Sequence, residues 1–119
     1  MVISLTANGF DELLVQVIEK TIKYCLGDRN AIIIINYLET QGYPLSEISK
    51  KPEVFSEELR NLMGFGRRQI MGAAEVLEET ILELLCKELG IKFETERPVN
   101  FPHQIRKLRE LYIPGDNRR

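Results

Sequence analysis

Tryptophan is absent from this 119-residue chain, histidine occurs once, at His103, and cysteine twice, at Cys25 and Cys86. The two cysteines stand sixty-one residues apart, which is not a zinc-ligand spacing. Both sit among apolar neighbours, in "KYCLG" and "ELLCKEL", and the expectation is two buried, reduced thiols. No apolar run exceeds five residues, Ala31 to Ile35, against the roughly eighteen that a membrane span needs. The first fifteen residues hold no Lys or Arg and carry Asp11 and Glu12, the wrong charge for a secretory leader. These absences predict a cytosolic chain with no membrane partner, no metal and no cofactor.

Catalytic patterns are equally scarce. No serine or cysteine is placed to form a triad with His103. The acids of "EVLEETILE" lack the Glu-x-x-His partner of a di-iron bundle, and glutamates at that spacing read as a solvated helix face. No enzyme is expected. Gly64 and Gly66 in "LMGFGRRQIMGAAEV" make a G-x-G, but the third glycine of a dinucleotide fingerprint would fall at Gln69. The chain also has no Gly-Lys-Ser or Gly-Lys-Thr. The two glycines are better read as a joint, one ending a helix and the other opening the next.

What is present is apolar periodicity. Hydrophobic residues make up 44% of the chain, enough for the core of one ordinary domain. Residues 10–26 repeat Phe10, Leu14, Val17, Ile18, Ile22 and Cys25 at helical spacing, and Gly27 suits the position after the last turn. "DRNAIIIINYLETQG" sets strand propensity against helical flanks, Asp28 as N-cap and Gly42 as stop. The flanks predict a helix over 29–41, buried on most sides. A helical turn follows near 45–49, then a helix opened by Pro52 and ended by Gly64. Residues 66–89 read as one long central helix of about 36 Å, with Ile70, Ala74, Leu77, Ile81, Leu84 or Leu85, and Leu89 on its apolar side. Phe101, Ile105, Leu108 and Tyr112 form a last stripe, on a helix whose far side carries Arg106, Lys107 and Arg109. The expected fold is an all-α, compact bundle of about five helices, with one long central helix and a basic C-terminal helix.

Charge divides the chain. Residues 1–96 carry ten basic against sixteen acidic residues, net −6; residues 97–119 carry six against two, net +4. The reading is an acidic helical domain, 1–96, with a basic C-terminal extension, 97–119. The extension has three uses open to it: nucleic acid, its own body, or a second subunit. Docking on a second subunit is favoured, with Phe101, Ile105, Leu108 and Tyr112 as the apolar seam. Glu75, Glu79 and Glu83 then offer an acidic wall to Arg106, Lys107 and Arg109. Gly72 and Ala73, with Ala74, form a small-residue patch that allows close packing inside the bundle or across a subunit contact.

"EELRNLMGFGRRQI" also has the outline of a helix-turn-helix over 57–73, with Gly64 at the turn and Ile70 inward. Arg67 and Arg68, with Arg106, Lys107 and Arg109, would then meet an anion or nucleic acid. Two features oppose this. Arg60 stands where close helix approach favours Ala or Gly, and the second helix turns acidic at Glu75, Glu78, Glu79 and Glu83, which phosphates repel.

The stretch "YLETQGYPLSEISKKPEVFSEELRNLMGFGRRQIMGAAEVLEETILELLCKELG" resembles the small all-helical output-type domains of archaeal signalling proteins, over about residues 10–93. The resemblance implies a non-enzymatic signalling or interaction module and carries no catalytic residues with it. The leading expectation is therefore a regulatory interaction module that self-associates as a homodimer and meets an unidentified protein partner. The alternative is a small nucleic-acid-binding regulator.

The glycine joint yields a direct test. One of Gly64 and Gly66 is expected at positive φ. In urea unfolding, Gly→Ala at that position should lose about 1 kcal/mol or more and at the other little. Neither ATP nor NAD should raise the melting temperature.

Overall fold

The first helix of the computed structural model, α1, spans Gly9–Leu26 and buries Phe10, Leu14, Val17, Ile18 and Ile22 along one side. Asp11 and Glu12 sit in its first turn and Lys23 in its last, the order that a helix dipole favours. Gly27 then turns the chain within one residue, at φ 91° and ψ 158°, a conformation strained for any side chain. Helix α2, Asp28–Thr40, begins at once. Gly27 therefore occupies the N-cap position, and Asp28 is the first helical residue rather than the cap. The structure describes residues 9–63, 73–94 and 99–112.

Helix α2 ends in a Schellman turn: the Tyr43 N–H donates to the Leu38 carbonyl at 2.8 Å, and Gly42 stands at φ 93°. One turn of helix, α3, Leu45–Ile48, follows Pro44 and buries Ile48. Helix α4, Pro52–Met63, opens on a proline, whose missing N–H is harmless in a first turn. Helix α5 is described over Ala73–Leu89 and α6 over Phe101–Leu111. Asn100 caps α6, its side chain accepting from the His103 N–H at 3.2 Å. No strand occurs among the described residues. The fold is an all-α bundle with six described helices.

The isoleucine run is helical, so the flanking signals outweigh strand propensity. It is not buried on most sides. Only Ala31, Ile34 and Leu38 of α2 face the core, while Ile32 is 57% exposed and Ile33 56%. The reason is position: α2 rests on α1 with α3 beneath, at the edge of the bundle.

Helix α5 is the centre, packing on α1, α4 and α6. It is buried on two sides, through Ala74, Leu77, Ile81, Leu82, Leu85 and Cys86. The start of the expected 66–89 helix and the Gly64–Gly66 joint lie outside the described residues. Cys86 is buried as expected; Cys25 is exposed, because it falls on the outer side of α1's last turn.

Glu78 lies on the buried side of α5, with no exposure at all, where a solvated acidic face was expected. The Arg60 guanidinium of α4 grips it with two hydrogen bonds, of 2.7 Å and 3.0 Å, and the Ser56 hydroxyl donates a third. Arg60 also donates to the Ser56 oxygen at 2.6 Å. This explains an arginine where a small residue was expected: its length bridges α4 to α5. The pairing with Glu78 raises the Arg60 pKa above its ordinary value.

Glu78 is buried while the Arg60 side chain is 41% exposed, so removing Arg60 leaves a buried carboxylate without its cation. Arg60→Ala should lower unfolding free energy by about 3 kcal/mol. The double change Arg60→Met with Glu78→Leu should recover most of that loss. Urea unfolding at neutral pH measures both.

Candidate functional site

The basic C-terminal helix folds into the chain's own core. Phe101, Ile105 and Leu108 are buried in the same apolar cluster as Phe10 and Leu14 of α1. The Phe101 ring lies 5.5 Å from that of Phe55 on α4. Tyr112, just past α6, sets its ring 5.8 Å from that of Phe10. Gly9 makes room for it, since a Cβ there would collide with the Tyr112 hydroxyl. Docking of this stripe on a second subunit is thus corrected: its apolar side is consumed by α1, α4 and α5. A helix of eleven residues is unstable alone in water, and the nearest apolar surface is its own body.

The electrostatic partners also differ from the acidic wall expected at Glu75, Glu79 and Glu83. Arg109 donates to Asp11 at 2.6 Å and to the Ser49 carbonyl at 2.7 Å. Its guanidinium carbon lies 4.8 Å from the centre of the Phe10 ring. One side chain therefore ties α6 to α1 and to the turn after α3. Arg106 meets Glu53 at 3.6 Å, with both side chains largely exposed. A pair so exposed adds little stability. Lys107 is exposed. Arg67, Arg68 and Gly72 lie outside the described residues, and Ala73 marks the first described residue of α5. The structure therefore brings together Arg106 and Arg109, beside Lys50, Pro52 and Glu53, and joins Phe101, Ile105, Leu108 and Tyr112 in one packed seam.

The chemistry available is limited. His103 is exposed, at the start of α6. Burial pushes the Cys86 thiol pKa up, which keeps it protonated and a poor nucleophile. Among the described residues no three His, Cys, Asp or Glu side chains converge as metal ligands. No described helix is long and apolar enough to cross a membrane.

The feature that sequence reasoning missed is the outer face of α2. Arg29, Ile32, Ile33, Asn36 and Thr40 recur at three and four, so they share one side, and all five are exposed. On its flank, Glu19 and Lys23 of α1 and Asp28, Ile32, Ile35 and Asn36 of α2 line a shallow groove. Tyr37 anchors the other flank, its hydroxyl donating to Glu58 of α4 at 2.9 Å. That bond to the carboxylate raises the Tyr37 pKa above its ordinary value. The only sequence signal for this face was the excess of isoleucine: four in a row, where a helix packed on one side can bury at most two.

The fold and this surface define an all-α bundle with an uncovered apolar helix face at its edge. Comparison with protein-family models, with curated proteins and with solved structures finds no match.

Arg109 carries the testable weight of α6 docking. Its bonds are charge-assisted but partly exposed, so Arg109→Ala should cost about 2 kcal/mol in urea unfolding. Arg109→Lys should recover only part of this, because an ammonium cannot span Asp11 and the Ser49 carbonyl while stacking on Phe10.

Proposed function

We propose that the chain is a non-enzymatic interaction module of the regulatory, signalling-output kind, and that it works as a self-associated pair. One observation carries this reading: two adjacent isoleucines, more than half exposed, lie on the open side of an edge helix. Single exposed apolar residues need no explanation. Here Ile32 and Ile33 adjoin each other and Ile35 borders them, on a helix with a further isoleucine already turned inward. β-Branched residues are mediocre helix formers, and on the outer face they add nothing to the monomer's core. A surface that holds them benefits when something apolar covers them.

A second copy of the chain is the simplest cover. A two-fold contact needs a patch that complements itself, and this one mixes apolar residues with both signs of charge. The nucleic-acid reading draws on five cations, of which Arg106 and Arg109 already face Glu53 and Asp11.

Sedimentation velocity across the micromolar range provides the test. The chain should form a dimer, and Ile32→Glu with Ile33→Glu should make it monomeric without loss of helicity or melting temperature. A chain that stays monomeric at every concentration overturns the proposal. Steeply salt-dependent binding to random duplex DNA, weakened by Arg106→Glu with Lys107→Glu, would favour the regulator with a helix-turn-helix at 57–73.

A further inference from the structure

A cleft separate from the α2 face lies between α5 and α6. Gln104, Lys107, Leu108 and Leu111 fall three and four positions apart, so they form one edge of α6. Leu82 and Cys86, four apart on α5, form the facing edge. The space between them is about 330 Å³. The turn that stops α5 closes one end. Gly90 stands at φ 73° and the Ile91 N–H donates to the Cys86 carbonyl at 2.9 Å, a Schellman turn. The segment that follows alternates half-buried Ile91 and Phe93, packed on the core, with exposed Lys92 and Glu94.

The cleft has an apolar floor and a charged rim. Leu82, Cys86 and Leu108 are buried beneath it. Burial keeps the Cys86 thiol protonated, so the floor carries no charge. Leu111, on the α6 edge, is 51% exposed, a large apolar side chain left uncovered beside that floor. Three charged residues border the cleft: Lys92, Lys107 and Glu94. All three are exposed, and among the described residues none has an ion-pair partner. Two ammonium groups against one carboxylate leave the rim with one positive charge in excess.

We propose that this cleft binds a small amphipathic monoanion, a single hydrocarbon chain ending in a carboxylate, with the chain over Leu82, Cys86 and Leu108 and the head group at Lys92 and Lys107. The volume stands at the low end of ligand cavities, which run from about 300 to 1,000 Å³, so it suits one short chain rather than a large cofactor. Covering the floor and Leu111 supplies the affinity. The rim selects the head group. An uncharged chain would displace water beside two ammonium groups and return no partner to them. A cationic head would be repelled by both lysines, and a second negative charge would approach Glu94. The site makes no use of α2 and is independent of the self-association proposed above.

Sodium decanoate below its micelle concentration is the probe, with decanol and decylamine as comparisons of equal chain length. In amide NMR titrations decanoate should bind one to one, with shifts concentrated at Cys86, Gln104, Lys107 and Leu111. Decanol should bind several-fold more weakly, and decylamine should leave these amides unmoved. Lys92→Glu with Lys107→Glu should weaken decanoate about tenfold at low salt. Leu111→Asn should weaken decanoate and decanol alike. All three substitutions are at exposed positions, and circular dichroism checks that each variant keeps its helices. Decanoate should also slow alkylation of Cys86 by N-ethylmaleimide while leaving the exposed Cys25 unaffected. Shifts centred on Ile32 and Ile33, equal binding of decanoate by the wild type and the double-lysine variant, or no protection of Cys86 overturns the proposal.

Discussion

A carboxylate removed from water fixes the arrangement of the bundle. Glu78 lies on the most enclosed helix, and a buried charge without a partner costs several kcal/mol. The requirement to meet it selects one register of α4 against α5, the one that brings Ser56 and Arg60 to its oxygens. The apolar contacts of Phe55 and Leu59 add to this arrangement but are less directional than the hydrogen bonds to Glu78. With α4 and α5 so aligned, Phe55 is placed to meet Phe101, and the seat for α6 exists.

The C-terminal helix completes the core rather than extending from it. Its apolar stripe closes over α1, α4 and α5, and Arg109 fastens it to Asp11 and the Ser49 carbonyl. The guanidinium is suited to this place because three different partners surround it: a carboxylate, a carbonyl and an aromatic face. Two arginines, on different helices, thus perform related work. Each joins elements distant in sequence, Arg60 across eighteen positions and Arg109 across ninety-eight. The excess positive charge of the tail segment is partly spent within the molecule, which lowers its reach for outside anions.

One helix is left out of this mutual covering. Helix α2 joins the bundle through α1, a short turn beneath it and the Tyr37–Glu58 bond, and its other side meets water. The contrast with α6 is instructive. Both helices carry one apolar stripe that is buried, but α2 has additional isoleucines outside its stripe while α6 has charges. The extra isoleucines Ile32 and Ile33 add nothing to the buried core of the bundle. This contrast is the basis on which α2 is proposed as the contact surface.

Helix positions were legible because they depend on local rules. The spacing of Phe10, Leu14 and Val17, the breaks at Gly27 and Gly42, the proline at position 52 and the stripe Phe101, Ile105 and Leu108 each act within one or two turns. They determined an all-α chain and most of the helix boundaries. Direction was legible only where periodicity was clean. In "AIIII" the spacing of Ala31, Ile34, Ile35 and Leu38 marks an inward side, but every position is apolar, and only the neighbours of α2 decided that Ile32 and Ile33 stay outside. Glutamate is the residue least expected inside, and nothing near Glu78 in sequence marks it. Arg60, eighteen residues earlier, makes its burial tolerable. Nor could charge totals distinguish Asp11 from Glu75 as the partner of the basic helix, since Asp11 comes within reach only because the fold brings the start of the first helix to the end of the last. Local periodicity determined the elements; the pairings among distant residues were decided by tertiary structure, because a buried charge or an apolar stripe is satisfied by whichever partner the packing brings to it.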